Sequence, residues 1–181
     1  MEGNLIYLRS FQLEDASELL QMQKQNKHFF EQFSMSRTAD YYSLDYQKHL
    51  IEQFIRLKEQ GIEYHFGVFL KGSGQLIGTM DLFHIYRGSL QNAMIGYFLS
   101  EEHNGKGYAS EACALLVHYA FSNLKLHRIE AGVMPRNHGS IRVLEKAGFH
   151  KEGIARKNVR IQGIWEDHQV LACLNPSEIN G

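Results

Sequence analysis

The segment from Ile95 to Ala112, IGYFLSEEHNGKGYASEA, carries an apolar strand through a short polar loop and a glycine pair directly into a helix. That succession ties sheet to helix at one tight turn, and the turn is an anion site by construction. Gly105 and Gly107 let the backbone reverse within a few residues. The first N–H groups of the helix opening near Tyr108, Ala109 and Ser110 have no intrahelical acceptors, so they converge on whatever anion lies in front of them. Lys106 adds a cation at the positive end of the helix dipole.

Two common phosphate loops are excluded by spacing. A nucleoside-triphosphate loop needs Gly, four residues, then Gly-Lys-Ser/Thr, whereas here Gly107 follows Lys106 and Ser100 stands where the leading glycine belongs. A dinucleotide fingerprint needs a third glycine three residues past Gly107, and Ser110 occupies that place. A strand-to-helix turn with no ligand is the alternative that local sequence alone leaves open.

Composition narrows the partners. The 181 residues are 44% apolar with two prolines, enough for one globular domain with its own core, read here as residues 5–176. Lys and Arg total 19 against 20 acidic residues, so there is no basic face for naked nucleic acid. Cys113 and Cys173 lie far apart and outside any C-x-x-C pair, as expected of buried, reduced thiols in a cytoplasmic protein. No charged-then-apolar leader opens the sequence, and the longest strongly apolar run is Ala112 to Val117, so neither a signal peptide nor a membrane span is expected. Ten histidines raise the question of a metal, but ligand spacings such as His-x₃-His are missing and no metal is expected.

Periodicity supplies the element order. Residues 5–9 alternate like a strand, and a helix follows from about Asp15, whose side chain can cap together with Glu18. Residues 26–42 show no clean period and read as a loop or short helical pieces over the active face. Ser43 to Gln60 forms an amphipathic helix through Leu44, Leu50, Ile51, Phe54, Ile55 and Leu57, stopped by Gly61. Strands follow over 64–70 and 75–85 across a Lys71-Gly72-Ser73-Gly74 hairpin, then over 93–99.

The helix after the glycine loop carries Ala109, Ala112, Cys113, Leu116, Val117, Ala120, Phe121 and Leu124 on one stripe. Residues 128–133 make another strand. Asn137 caps a short helix with Ile141, Val143, Leu144 and Ala147, and Gly148 ends it. Residues 149–160 and 164–174 form a hairpin around Gln162-Gly163. The predicted class is mixed α/β (α+β), with a largely antiparallel sheet and two crossover helices.

Three segments of this sequence resemble the GNAT acyl-CoA-dependent N-acetyltransferases, and the similarity covers essentially the whole chain. Asn104-Gly105-Lys106-Gly107-Tyr108-Ala109 is similar to the family's Gln/Arg-x-x-Gly-x-Gly/Ala loop, departing at its first position. Asn137-His138-Gly139-Ser140, with Leu144-Glu145-Lys146-Ala147-Gly148-Phe149, resembles the Asn-x-x-Ser and Glu-Lys-x-Gly-Phe segment of the RimJ/RimL-type branch, which acetylates ribosomal-protein N-termini. Gly163-Ile164-Trp165-Glu166-Asp167-His168 is similar to that branch's closing hairpin.

The resemblance implies a splayed parallel pair formed by strands 93–99 and 128–133, with acetyl-CoA as co-substrate lying between them. Backbone near Phe98 and Leu99 would hold the pantetheine arm, and the amides of Gly105 to Ser110 the pyrophosphate. The family often places a proton-donating tyrosine where Leu144 stands, so the role of protonating the thiolate falls to Ser140, whose alternative is to complete the Asn137 cap. Asn137 itself is a cap that can also touch the pantetheine.

Glu130 faces away from the apolar side of its strand and is one candidate base, although the family's glutamate corresponds to Gly132. Water, His84, Glu166 and Asp167 are the alternatives. Trp165 reads as core, and of Glu101, Glu102 and His103 beside the phosphate loop the two carboxylates read as solvated.

The acceptor is a primary amine, either a protein N-terminus or a small amine such as a polyamine, amino acid or antibiotic. A non-catalytic CoA-binding module is the reading from another class. Freeing a lysine amine (pKa about 10.4) costs roughly 3.5 kcal/mol more than freeing an α-amine (about 7.8), which favours an α-amine where no base is evident. Either a monomer or a homodimer is compatible with the sequence.

Overall fold

Seven strands hydrogen-bond into one sheet, and the computed structural model describes residues 1–177. The strands are β1 (Ile6–Ser10), β2 (Tyr64–Leu70), β3 (Leu76–Tyr86), β4 (Asn92–Leu99), β5 (Arg128–Val133), β6 (His150–Ile161) and β7 (Ile164–Leu174). The helices are α1 (Ala16–Gln25), α2 (Lys27–Glu31), α3 (Leu44–Glu59), α4 (Tyr108–Ser122) and α5 (His138–Lys146). Strand order is β1-β2-β3-β4-β5-β7-β6, antiparallel throughout except for β4 beside β5. This is the mixed, largely antiparallel α/β sheet expected from the sequence. Its parallel pair is joined by α4, because parallel neighbours need a crossover that a hairpin cannot supply.

That parallel pair is short. Only Asn92↔Arg128, Ala93↔Ile129 and Met94↔Glu130 are in register. Beyond them β4 pairs with β3 alone and β5 with β7 alone, so the two strands diverge and leave a slot through the middle of the sheet.

Alternation assigns the two faces. Ala93, Ile95 and Leu99 of β4 and Ile129, Ala131 and Val133 of β5 are buried in the main core with α4 and α5. Phe98 turns the other way, toward the cluster formed by α1, α2 and α3. The stripe on α4 is buried at Ala112, Cys113, Leu116, Val117, Ala120 and Phe121. No helix among the described residues is long and apolar enough to cross a membrane.

Local chemistry explains most boundaries. Ser43 Oγ accepts from Tyr46 N–H at 3.2 Å and caps α3. Asn137 Oδ1 accepts from Ser140 N–H at 3.1 Å and caps α5. Gln162 and Gly163 both have positive φ, +47° and +84°, as a two-residue hairpin turn requires.

Three expectations are corrected. Asp15 does not cap α1, because its carboxylate turns back to Arg9 (2.6 and 2.7 Å) and Gln12 N–H, while Glu18 accepts from Leu76 N–H. On α3 only Ile51 of the predicted stripe is fully buried, and Leu44 is exposed, since this helix lies at the margin of the sheet's second face. Trp165 is not core: it lies 56% exposed on β7. Glu101 and Glu102 are exposed as expected, and His103 beside them is buried.

Candidate active site

A cavity of about 890 Å³ occupies the slot between β4 and β5. Its wall includes Gly96 and Phe98 from one face of β4 and Tyr97 and Leu99 from the other, and likewise Gly132 beside Ala131 and Val133 on β5. Residues of both faces can line one space only if the space passes through the sheet, and the lost register after Met94 and Glu130 opens that passage.

At one end the cavity meets the glycine loop. Asn104, Gly105, Gly107, Ala109 and Ser110 line it, with Phe98 and Leu99 on the strand leading in. Gly105 and Gly107 have φ of +76° and +88°, which L side chains rarely adopt. The first intrahelical bond at the start of α4 runs from Glu111 N–H to Gly107 O at 3.0 Å, leaving the amides of Tyr108, Ala109 and Ser110 without intrahelical acceptors. Asn26 fixes this loop to the α1–α2 junction, its Oδ1 accepting from Glu101 N–H at 2.8 Å. Lys106 is exposed and Tyr108 half-buried, and neither lines the cavity.

On the α5 side of the slot, Ser140 in the first turn of the helix faces Tyr97. The two hydroxyl oxygens are 2.6 Å apart, and Tyr97 also lies 3.1 Å from the Ser140 carbonyl. Burial pushes the Tyr97 phenol well above its ordinary range, the Ser140 hydrogen bond lowering it only in part, so Tyr97 stays a protonated donor. When Tyr97 donates to Ser140 Oγ, the serine's own O–H is free to point into the cavity. Leu144, at the position of the family tyrosine, is fully buried and offers no proton.

On the opposite face the side chains are of another kind. Phe29, Phe30, Phe33 and Phe83 supply apolar wall, and Asp81 and His168 supply polarity. Asp81 Oδ1 lies 2.8 Å from His65 Nδ1, and His65 Nε2 lies 3.0 Å from Glu63 Oε2. The His65 ring stacks on Phe54 with centroids 3.9 Å apart. Burial pulls the imidazolium down, but hydrogen bonds and charge from Asp81 and Glu63 outweigh it and raise His65 above its ordinary value.

The base candidates read from sequence lie elsewhere. Glu130 pairs with Arg128 at 2.7 Å, an arginine that also holds Glu152, and it does not line the cavity because it belongs to the last paired rung before the strands part. Glu166 pairs with Arg136 and Asp167 with Arg156, both outside the cavity wall. His84 is exposed at an irregularity of β3 with φ +49°. No group of three or more His, Cys, Asp or Glu suited to a metal occurs among the described residues.

Tyr97, Asp81, His65 and His168 are therefore the residues that sequence reading passed over. Asp81 did leave a signal, as a single carboxylate inside the apolar run Leu76-Ile77-Gly78-Thr79-Met80-Asp81-Leu82-Phe83.

A through-sheet slot with unpaired helix-start amides at one end has a shape and polarity that would admit a long phosphorylated co-substrate. The profile of the acetyltransferase (GNAT) domain matches residues 6–150, and the chain belongs to that family. It is 60% identical over 178 residues, 98% of each chain, to a probable N-acetyltransferase of Bacillus subtilis. It is 32% identical over 165 residues, 90% of this chain and 84% of the relative, to the ribosomal protein uS5-alanine N-acetyltransferase of Escherichia coli. Mycobacterium smegmatis RimJ, solved with CoA disulfide, superposes with a TM-score of 0.90 at 26% identity, covering 96% of this chain and 83% of that one. The protein is thus an N-acetyltransferase that takes its acetyl group from acetyl-CoA.

Proposed function

We propose that the acceptor is the α-amine of a protein N-terminus, a ribosomal protein being the acceptor that one relative's name gives, and that residues 5–176 act as one catalytic domain in the cytoplasm. One observation carries the choice of acceptor. Asp81 is the carboxylate set among phenylalanines on the face of the slot away from α4 and α5, and the other carboxylate of the wall, Glu101, lies beside the glycine loop. A polyamine brings several positive charges and requires several carboxylates, whereas an N-terminal residue brings one ammonium and a small apolar side chain. The names of the relatives point the same way.

In this reading the amides of Gly105 to Ser110 bind the pyrophosphate, with Lys106 adding long-range attraction from its exposed position. Phe98 and Leu99 offer the pantetheine a strand edge that β5 has left unpaired, and Asn137 stands at the entrance of α5 beside the arm. Ser140 gives its proton to the CoA sulphur as the C–S bond breaks, and Tyr97, donating to Ser140 Oγ, makes that hydroxyl a better acid.

The test is CoA release with peptides beginning in Ala or Ser beside a panel of polyamines, amino acids and aminoglycosides. The reading expects turnover on the peptides with acetyl on the α-amine. Turnover confined to the small amines would replace it with the small-molecule alternative.

A further inference from the structure

We propose that Asp81 and His168 form the acceptor-amine site: Asp81 binds the incoming ammonium, and His168 Nε2 takes the proton that frees its lone pair. The inference rests on the amine-acceptor reading above and names the residues that carry it.

The placement follows from register. On the face away from α4 and α5, His65 of β2 is paired with Asp81 of β3, and Asp81 with Gly96 of β4. Gly96 lies two residues beyond the last parallel rung, Met94↔Glu130, and Gly132 lies two residues beyond it on β5. A Cβ placed on Gly132 would stand 3.6 Å from His168 Cδ2, so the imidazole of β7 leans over that glycine. Read across four neighbouring strands, the face runs carboxylate, glycine, slot, glycine, imidazole. Gly132 leaves the room over which the imidazole leans, and on the other side the Phe83 ring lies over Gly96, its Cε1 3.0 Å from where a Cβ would stand, so that Asp81 meets the slot beside an aromatic wall.

Each polar group is prepared for one role. His65 faces two carboxylates, and only an imidazolium donates from both nitrogens. The set Glu63, His65 and Asp81 therefore keeps one net negative charge. The second Asp81 oxygen has no protein partner among the described residues and is free for an ammonium. His168 is buried, with Nδ1 3.3 Å from the carbonyl of Glu166. A carbonyl only accepts, so Nδ1 carries the hydrogen and Nε2 keeps its lone pair, without a protein partner among the described residues.

The proton account closes. The ammonium passes one proton to His168 Nε2 and thence to water. Its nitrogen forms the bond to the acetyl carbon, the C–S bond breaks, and the second proton lost from nitrogen is matched by the one that reaches the CoA sulphur. The oxyanion formed in between needs a hydrogen-bond donor, which strand N–H groups along the slot can supply.

The experiment uses the amine that the wild-type protein turns over in the acceptor screen, so failure of the α-amine reading and failure of this site remain separate results. His168→Asn keeps an N–H at the Nδ1 position and removes the base. Asp81→Asn removes the charge and keeps the shape. His168→Asn should lower kcat by about 10² to 10⁴ with acceptor KM within about threefold. Asp81→Asn should raise acceptor KM about 10- to 100-fold with kcat nearly intact. Both should bind acetyl-CoA like wild type by calorimetry, a split that a merely structural role would not produce. Where either variant fails to bind acetyl-CoA, His168→Gln and Asp81→Ser give the same readouts. Wild-type kcat in the histidine variant, or wild-type acceptor KM in the aspartate variant, overturns the proposal.

Discussion

Tyr97→Phe removes one oxygen from the hydroxyl pair that faces the slot, and its effects can be sized from the contacts. The phenol lies 2.6 Å from Ser140 Oγ and 3.1 Å from the Ser140 carbonyl, so the variant deletes one short bond and one weaker approach. A typical net hydrogen bond is worth about 0.5–1.5 kcal/mol, and a buried partner left unsatisfied costs about 1–3 kcal/mol. Ser140 is half-buried and lines the cavity, which places the loss near the middle of the first range, about 1 kcal/mol. For a chain of this size that lowers Tm by about 2–4 °C.

Catalysis should suffer more than stability. If Tyr97 polarises Ser140, its loss lowers kcat by about tenfold, the equivalent of one hydrogen bond made in the transition state. Ser140→Ala, which removes the proton donor itself, should lower kcat by roughly 10² to 10⁴. Acetyl-CoA affinity should be unchanged in both. The assay is CoA release at saturating substrates with thermal melting on the same preparations. A kcat within twofold of wild type in Tyr97→Phe, beside a large loss in Ser140→Ala, would reduce Tyr97 to packing. A Ser140→Ala kcat within threefold of wild type, with only a loss of stability, would reduce Ser140 to the helix cap.

Leu116, fully buried at the centre of the α4 stripe, should cost about 2–5 kcal/mol when changed to Ala. Cys113 on the same stripe is pushed up to about 12 by burial, with the nearby Cys173 adding to it, so native protein should resist thiol reagents. Rapid labelling of Cys113 would contradict that packing. His65 predicts a pH dependence of definite sign: its raised value means that its contribution to stability is complete below about 6.5 and is lost as pH rises through the higher folded value. Urea unfolding across that window should show stability falling with pH, and His65→Gln should flatten the fall; an unchanged slope would refute the charged Glu63-His65-Asp81 set.

The strands, the glycine loop and the two capped helices were legible because each is written locally. Gly105 and Gly107, Asn137 and the spacing along α4 act within one or two turns. The parallel pair and its splay were reached only through family resemblance, since the loss of register after Met94 and Glu130 depends on what β3 and β7 offer those strands. The same limit hid the site chemistry. Alternation put Glu130 on the correct face, but nothing local shows that it sits one rung before the strands part, where Arg128 claims it. His168 was in view within Trp165-Glu166-Asp167-His168, yet its role appears only beside Gly132, thirty-six positions earlier. Trp165 reads as core because tryptophan usually buries its area first, whereas its place near the start of β7 leaves it exposed among the described residues.

The central claim is that the backbone at the start of α4 holds the pyrophosphate of acetyl-CoA, with the thioester in the slot between β4 and β5. Gly107 tests it most directly, being at φ +88° with nothing within 4 Å of an added Cβ. Gly107→Ala carries the backbone strain alone, about 1–2 kcal/mol, whereas Gly107→Glu adds a negative charge where phosphate must approach. Calorimetric titration of acetyl-CoA into the two folded variants should show weakened binding in Gly107→Ala and no measurable binding in Gly107→Glu. Wild-type affinity in a folded Gly107→Glu would contradict the account.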